Sequence, residues 1–211
     1  MPTSFMQNIP EVVAVMQSLK PKKVLDIGIG NGKYGLLARE YIEGVVVDGV
    51  EAYEPYITDI QRAIYNKIHI GDISTMDIAK FKGYDLYLMI DVIEHVPKTV
   101  GHKILKGLDG LVLVSTPVED YRAHYENHFE DHVSHWTTED FKNYSYVDYS
   151  NEYSTMVLVD TSENAKDNEL GKLRKQYNQV AGELKSMKMS RSWRITAPLR
   201  WVKNQASREG R

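Results

Sequence analysis

The chain has 211 residues, 42% hydrophobic and 26% charged, which is typical of a soluble globular domain with a short appendage. It has no cysteine, which excludes disulfides and thiolate chemistry, and no apolar run long enough to span a bilayer. No signal-peptide pattern opens the chain, so we expect a cytoplasmic protein. From Lys185 onward eight Lys and Arg accompany one acid, so this tail carries +7 and the remainder about −10. An acidic body disfavours nucleic acid as a partner.

The first predicted helix, Ile9 to Leu19, precedes the most informative stretch, Lys23 to Gly35, which reads KVLDIGIGNGKYG. Apolar residues and an acid followed by alternating glycines predict a buried strand running into a turn. There the missing Cβ atoms let the backbone approach a ligand. Tyr34 to Tyr41 is predicted to be a helix with Leu36, Leu37 and Tyr41 on one side.

Three ligands suit a strand, a glycine turn and a helix. The phosphate-binding P-loop pattern is matched poorly, because the glycine spacing is one residue short and Tyr34 replaces the hydroxyl residue. A dinucleotide pattern can be matched only by starting late, at Gly30, and would suit a nicotinamide-dependent oxidoreductase. The better match is D-x-G-x-G-x-G, made by Asp26, Gly28, Gly30 and Gly32.

This D-x-G-x-G-x-G stretch resembles the first motif of class I S-adenosylmethionine (SAM) methyltransferases. The resemblance implies that the turn packs against the amino-acid end of SAM and that Asp26 helps to hold its ammonium group. A carboxylate suits a cationic ligand and repels a pyrophosphate.

Two further acids are cofactor candidates at strand ends. Glu51 ends the predicted second strand, a little over twenty residues past the turn, where an acid can accept both ribose hydroxyls. Asp72 follows the predicted third strand, Lys67 to Ile70, and the resemblance implies that it hydrogen-bonds the adenine amino group.

The most apolar predicted strand, Tyr84 to Ile90, leads directly into Asp91, Glu94 and His95. A continuous apolar run indicates a central parallel strand buried on both faces, and ligand residues gather at the carboxyl ends of such strands. The sequence is similar to the fourth-strand motif of ubiquinone-type O-methyltransferases, which implies a cofactor contact for Asp91.

A fifth strand is predicted around Gly110 to Pro117, and a helix start at Thr137 to Phe141. Residues Tyr144 to Tyr149 and Thr155 to Val159 alternate as expected of an antiparallel pair. We therefore predict an α/β, Rossmann-like, doubly wound fold over residues 1–160, with a seven-stranded, mostly parallel sheet. Residues 161–211 are predicted to form a linker, a helical extension and a basic tail.

The acid and histidine cluster allows three interpretations. The stretch Asp131 to Thr137 resembles the loop that supplies a metal-binding histidine in small-RNA 2′-O-methyltransferases, which carry E-x-x-E-H at the fourth strand. That resemblance implies a divalent ion, Mg²⁺, Mn²⁺ or Zn²⁺, held by Asp91, Glu94, His95 and His132, although Asp91 is one methylene shorter than the family's glutamate. Alternatively, His95 or His132 is a metal-free catalytic base. In the third, His95 caps the following helix and His132 packs on Trp136.

The C-terminal region has two patterns of its own. Apolar residues from Leu170 to Met187 recur every three or four positions, which predicts a heptad helix that either pairs with a copy or partner, or folds back on the domain. The segment Ser190 to Trp201 resembles a terminal segment of bacterial surface-polysaccharide enzymes. Its arginines and tryptophans suit an anionic membrane surface.

The sequence therefore predicts a SAM-dependent O-methyltransferase acting on a hydroxyl of a sugar or glycan precursor, peripheral to a membrane. Other small molecules and an RNA end are the alternative acceptors. A SAM-binding but non-catalytic subunit of a polysaccharide assembly is the alternative from a different class.

Overall fold

A single seven-stranded sheet organises the computed structural model, which describes residues 4–120 and 126–162. The strand order is β3-β2-β1-β4-β5-β7-β6. Strands β1 to β5 are parallel, whereas β7 runs antiparallel to both β5 and β6. This confirms the predicted Rossmann-like fold, including the closing antiparallel pair. The strands are β1 (Lys23–Ile27), β2 (Val46–Glu51), β3 (Lys67–Ile70), β4 (Leu86–Ile90), β5 (Leu111–Pro117), β6 (Ser145–Asp148) and β7 (Ser154–Asp160).

Helices and short 3₁₀ turns connect these strands. The α-helices are α1 (Ile9–Leu19), α2 (Lys33–Tyr41), α3 (Asp59–Ile64) and α4 (Lys98–Gly107). The 3₁₀ turns are Met6–Asn8, Glu54–Tyr56, Ile78–Phe81, Ile93–His95, His128–Glu130 and Thr138–Phe141. No helix in the described ranges is long and apolar enough to cross a membrane.

The strand order places the carboxyl ends of β1 and β4 side by side at the centre of the sheet. Their register pairs Ile27 with Met89, so the glycine turn and the segment beginning at Asp91 leave the sheet next to each other. All five residues of β4 are buried, as its apolar run predicted. The chain order reverses between β1 and β4, which is where open α/β sheets bind ligands.

Helix α2 buries a different face from the predicted one. Leu36 and Tyr41 are about half exposed, while Tyr34, Gly35 and Ala38 are buried. The side predicted to contain Leu36, Leu37 and Tyr41 is therefore not the side that the helix buries. The reason is the ring of Tyr65, which packs directly on Gly35. A Cβ on Gly35 would lie only 2.4 Å from this ring, so the helix packs on its neighbours through its small residues.

Two predicted helices are shorter than the sequence suggested. The sequence predicts a helix from Tyr56 to Tyr65, and the structure has the six-residue helix α3 there, whose start is fixed by a capping box between Thr58 and Gln61. The predicted helix start at Thr137 continues only as the 3₁₀ turn Thr138–Phe141, even though Thr137 and Asp140 complete a capping box. The predicted heptad helix and basic tail lie outside the described residues.

The packing of α2 can be tested with two substitutions on the same helix. Gly35→Ala should lower the free energy of unfolding by about 1–3 kcal/mol, because the added methyl must displace the Tyr65 ring. This loss should occur although alanine is the better helix former. Leu36→Ala on the exposed face should change stability by less than about 0.5 kcal/mol. Urea unfolding followed by circular dichroism measures both, and the reverse order of losses would contradict this packing.

Candidate active site

A cavity of about 700 Å³ lies at the carboxyl ends of β1, β2 and β4. The glycine turn lines it on one side, and the turn after β4 lines it on another. Residues before α1 and the segment from Asn127 to His132 complete the wall. Its size and position are those expected for a binding site for a nucleoside-sized cofactor and a substrate.

The glycine turn has the backbone conformation that its sequence predicted. Gly28, Gly30 and Gly32 all have positive φ angles, of 77°, 47° and 81°. A side chain at Gly28 would also collide with Val92, because its Cβ would lie 2.4 Å from that side chain. Gly28 and Gly30 line the cavity, so bare backbone forms this part of the wall. The glycines are therefore required by both the turn and the space beside it.

Asp26 is buried beneath the turn and is not part of the cavity wall. Its carboxylate accepts a hydrogen bond of 2.6 Å from the Tyr65 hydroxyl, and only 2% of the residue is exposed. Burial raises the pKa of Asp26 to about 7, although the Tyr65 bond opposes this change. Asp26 therefore supports the turn from beneath, and its predicted help in holding an ammonium group, directly or through water, stays a prediction.

Glu51 joins the end of β2 to the turn. Its Oε2 accepts from the backbone N–H of Gly30 at 2.9 Å, and its Oε1 accepts from Tyr53 at 2.9 Å. Gln61 holds the other side of the same turn residue by donating to the Gly30 carbonyl at 2.8 Å. Glu51 also lines the cavity, so a buried carboxylate stands where the sequence predicted a ribose contact.

Asp72 lines the cavity on the β3 side. Its carboxylate accepts from the backbone N–H of Ser74 at 2.8 Å and from the Ser74 hydroxyl at 2.6 Å. These bonds fix the loop after β3 at the cavity edge. The adenine contact predicted for Asp72 remains a prediction that its position allows.

The loop that carries His132 is held against the turn after β4. The carbonyl of Glu94 accepts from the backbone N–H groups of both Val133 and Ser134, at 2.9 and 3.0 Å. The Ser134 hydroxyl donates to the Val96 carbonyl at 2.7 Å. The indole N–H of buried Trp136 lies 2.8 Å from Ser134 Oγ and 3.2 Å from the carbonyl of Ile93. Residues separated by about 40 positions in sequence are thereby fixed next to each other.

Glu94, His95 and His132 converge as a result. Each offers one ligand atom, and these atoms all lie within 4.8 Å of one another. The two imidazole rings meet edge to face with centroids 4.9 Å apart. A carboxylate and two imidazoles are a suitable donor set for a divalent metal ion. The interpretation in which His95 caps α4 is not what the structure shows, since α4 has no side-chain cap.

Asp91, the fourth predicted metal ligand, lies outside this cluster of three. Its Oδ1 accepts a hydrogen bond of 3.1 Å from the hydroxyl of Ser115 on β5. The side chain still lines the cavity, so its position suits the cofactor role predicted for it better than the metal role.

Glu94 is the least satisfied polar side chain in the described ranges. It is 1% exposed, and neither carboxylate oxygen has a hydrogen-bond partner there. Burial raises the pKa of the carboxyl well above its ordinary value, and the nearby charge of Asp91 adds to the effect. Thr116 is close enough to lower this pKa slightly, but not to form a hydrogen bond of normal geometry. A buried, unpartnered carboxyl is costly to folding, which indicates a function for it.

Both histidines have neutral imidazole rings, which can bind a metal ion or accept a proton. Nδ1 of His95 lies 3.1 Å from the carbonyl oxygen of Asp131. A carbonyl can only accept, so Nδ1 carries the proton and Nε2 has a free lone pair. Burial lowers the pKa of both His95 and His132, and the neighbouring His95 adds to the effect on His132. Both rings are therefore neutral near pH 7.

Sequence reasoning missed several residues of the cavity wall. Tyr56, rather than the neighbouring Tyr53, lines it, and its hydroxyl donates to the carboxylate of Glu130. Asn127 donates to the same hydroxyl at 3.3 Å, so two distant loops meet at the cavity. Lys33 also lines it. Only Lys33, which follows the last glycine of the turn, has a sequence signal that could have identified it.

No protein-family model and no curated protein matches the chain, but solved structures do. The methyltransferase domain of the bacterial Hen1 protein CtHen1-C is 25% identical with a TM-score of 0.53, and the match covers 74% of this chain and 97% of that one. The N-terminal domain of EvdMO1, solved with S-adenosylhomocysteine (SAH) bound, is 15% identical with a TM-score of 0.54, covering 74% and 81%. An O-methyltransferase family protein from Burkholderia thailandensis is 12% identical with a TM-score of 0.54, covering 75% and 57%.

These similarities confirm the class I methyltransferase fold. The neighbours at 15% and 12% identity show the fold alone. The likeness to a methyltransferase domain at 25% identity, over almost its whole length, supports SAM-dependent methyltransferase activity for this chain.

Because burying Glu94 is costly, the stability of wild type and the stability of Glu94→Gln should depend differently on pH. The pKa of Glu94 is higher in the folded chain than its ordinary value of 4.5. Ionisation of Glu94 therefore opposes folding. The free energy of unfolding contributed by this group falls as pH rises from 4.5 through the raised pKa. In metal-free protein, Glu94→Gln should gain stability relative to wild type between pH 5 and pH 8, as measured by thermal unfolding.

The surface variant Glu139→Gln is a matched control, because the Glu139 side chain is 83% exposed. It should follow the wild-type stability across the same pH range. Asp26 contributes equally to all three proteins and cancels in the comparison. If the thermal stabilities of wild type and Glu94→Gln changed in parallel from pH 5 to pH 8, the assignment of a buried carboxyl without a hydrogen-bond partner among the described residues would be contradicted.

Proposed function

We propose that this chain is a SAM-dependent O-methyltransferase whose acceptor is a hydroxyl group of a sugar. One observation carries the proposal: the Glu94 carboxylate is buried beside two neutral imidazoles and has no hydrogen-bond partner among the residues that the structure describes. All three residues line the cavity that also contains the glycine turn. A cofactor site and a donor set for a metal or proton thus share one space.

The cofactor would lie along the carboxyl ends of β1, β2 and β3. Glu51 and Asp72 both line this part of the cavity, where Glu51 would accept the ribose hydroxyls and Asp72 would contact the adenine amino group. The bare backbone of Gly28 and Gly30 allows the thioether segment to approach closely. Carboxylates at several points of the wall favour a cationic sulfonium over a pyrophosphate, which argues against a nicotinamide cofactor.

A divalent metal ion fits Glu94, His95 and His132. The unpartnered carboxylate oxygens of Glu94 would become ligands, and the proton on Nδ1 of His95 leaves Nε2 available. Two imidazoles favour Mn²⁺ or Zn²⁺ over Mg²⁺. Such an ion supplies one kind of chemistry, which is to lower the pKa of a coordinated hydroxyl.

A hydroxyl acceptor accounts for this cluster better than an amine does. A hydroxyl must lose its proton to attack the methyl group, whereas an amine with its own lone pair needs only alignment. Three protein ligands also leave coordination positions open, and two neighbouring hydroxyls of a sugar can occupy two of them. Without a metal, His95 or His132 would act as the base by itself, and Glu94 would orient it.

An RNA end is the second candidate acceptor. The resemblance of the Asp131 to Thr137 loop to small-RNA 2′-O-methyltransferases favours a ribose hydroxyl. The charge of about −10 before Lys185 opposes it, because a polynucleotide would need cationic contacts along its phosphates. A sugar acceptor keeps the hydroxyl chemistry without that repulsion.

The cellular context is proposed from the C-terminal sequence alone. The likeness of Ser190 to Trp201 to segments of surface-polysaccharide enzymes supports a glycan precursor as acceptor. The +7 charge beyond Lys185 would hold the enzyme at the cytoplasmic face of a membrane, at about 1 kcal/mol for each charge near an anionic surface. The apolar repeat from Leu170 to Met187 would join two copies or a partner helix.

Labelled SAM tests both the activity and the acceptor. Metal-free protein is incubated with pools of nucleotide sugars, lipid-linked glycans and small RNA, each with Mn²⁺, Zn²⁺ or a chelator. We expect label in a glycan pool that requires metal. Glu94→Gln and His132→Ala should lower the rate at least about 100-fold, while Glu139→Gln retains it.

Each other outcome removes part of the proposal. Label in RNA alone would select the RNA-end alternative, and chelator-insensitive transfer would select the metal-free base. Binding of SAM without transfer to any pool would favour a non-catalytic subunit, and binding of NAD instead of SAM would favour an oxidoreductase.

A further inference from the structure

A hydrogen bond joins two loops that form different parts of the cavity wall. Tyr56 ends the 3₁₀ turn after β2, and Glu130 ends the 3₁₀ turn that lies two residues before His132. Both residues line the cavity, and the Tyr56 hydroxyl donates to the Glu130 carboxylate. We propose that these two are positioning residues, whose hydrogen bond holds the Asp131 carbonyl where it keeps the proton of His95 on Nδ1. This inference rests on the proposed function for the chemistry that His95 performs.

The turn that carries Glu130 is bonded within itself as well as to Tyr56. The Asn127 carboxamide donates to the Tyr56 hydroxyl at 3.3 Å, and its Oδ1 accepts from the N–H of Phe129 at 3.1 Å. The Asn127 carbonyl accepts from the N–H of Glu130 at 2.9 Å, and the first carbonyl of the turn accepts from the N–H of Asp131 at 3.2 Å. The Tyr56 hydroxyl therefore contacts both ends of a compact turn, and Asp131 follows directly.

Asp131 lies between two anchors. On one side Tyr56 holds the turn that precedes it, and on the other the carbonyl of Glu94 accepts from two backbone N–H groups of the following residues. The Asp131 carbonyl oxygen lies 3.1 Å from Nδ1 of His95. That distance is near the long end of the normal range for an N–H donor, so a small movement of the carbonyl would lose the bond. Removing the Tyr56 anchor allows such a movement.

The position of its proton decides what His95 can do. A neutral imidazole has the hydrogen on one nitrogen and the lone pair on the other, and a fixed partner selects between the two forms. The Asp131 carbonyl can only accept, so it selects the form in which Nε2 has the lone pair. A metal ion binds that lone pair, or a base uses it to take the proton of the acceptor hydroxyl. The bond between Tyr56 and Glu130 thus supports either mechanism through His95.

The main alternative role for Tyr56 is a direct contact with the cofactor. The backbone N–H of Tyr53 donates to Oε1 of Glu51 at 2.9 Å, and the rings of Tyr53 and Tyr56 meet edge to face with centroids 4.8 Å apart. Tyr56 therefore lies near the predicted ribose site. A lost cofactor contact weakens cofactor binding, whereas lost positioning lowers turnover and leaves that binding nearly unchanged.

The His95 tautomer can be measured in full-length, metal-free protein by NMR of the imidazole nitrogens. Wild type should have the proton on Nδ1. Tyr56→Phe removes only the hydroxyl and should shift the ratio of tautomers about 3- to 10-fold toward Nε2–H, as expected for the loss of one hydrogen bond. Glu130→Gln retains an oxygen that accepts from Tyr56 and should keep the wild-type ratio.

Two controls separate positioning from a general loosening of the fold. Tyr53→Phe is the matched variant, because it makes the same change on a neighbouring tyrosine that does not line the cavity. His102, whose Nδ1 lies 3.1 Å from the Tyr144 hydroxyl, is an internal reference in the same spectra. Neither the Tyr53 variant nor the His102 signals should change. The inference is overturned if Tyr56→Phe lowers the thermal stability but keeps the wild-type tautomer of His95.

Kinetics with an acceptor give the second measurement. Tyr56→Phe should lower kcat about 10-fold, while the affinity for SAH, measured by isothermal titration, changes less than about threefold. A loss of SAH affinity with the His95 tautomer unchanged would make Tyr56 a cofactor contact and overturn the inference. If wild type methylates no acceptor, the proposed function fails, and the tautomer of His95 in Tyr56→Phe still decides whether Tyr56 positions it.

Discussion

The backbone of Glu94 links the two parts of the chain that form the candidate centre. Its carbonyl accepts two N–H groups from the segment that follows His132. Ser134 and Trp136 add hydrogen bonds to the same turn after β4, and Trp136 is fully buried. A Cβ on Gly101 would lie 2.6 Å from the Trp136 ring, so α4 also accommodates this anchor. The rigidity of the cluster thus comes from main-chain bonds rather than from the ligand atoms.

That rigidity lets the fold tolerate a side chain that destabilises it. The Glu94 carboxyl is removed from water and receives no hydrogen bond from the described residues. Removing a carboxyl group from water without giving it a new hydrogen-bond partner costs free energy. Proteins retain such groups mainly where function needs them. The well-bonded backbone around Glu94 offsets the cost and keeps the carboxylate aimed at two imidazoles. The main chain of Glu94 thus contributes to stability, whereas its buried side chain opposes folding.

The cavity separates charges along its length in a manner that suits a sulfonium cofactor. Carboxylates of Glu51 and Asp72 lie toward β2 and β3, and Lys33 with Asp91 lies between the turn and β4. Asp26 lies beneath the turn and accepts a hydrogen bond from Tyr65. Glu51, Asp72 and Asp91 end or follow strands, and they gather here because parallel strands direct their carboxyl ends to one edge of the sheet. A cofactor that spans these groups would bring its reactive carbon toward the Glu94 cluster.

The sequence by itself determined the strands, the glycine turn and the acids at the strand ends. Those features depend on local periodicity, on missing Cβ atoms and on a continuous apolar run, all of which neighbouring residues specify. Tertiary structure decided which acids reach the cavity and which face α2 buries. It also placed Asp91 outside the cluster of Glu94, His95 and His132. It also brought Lys33, Ser4 and Tyr56 to the wall. These outcomes depend on contacts between residues 24 to 74 positions apart, where packing against Tyr65 or Trp136 outweighs the local pattern.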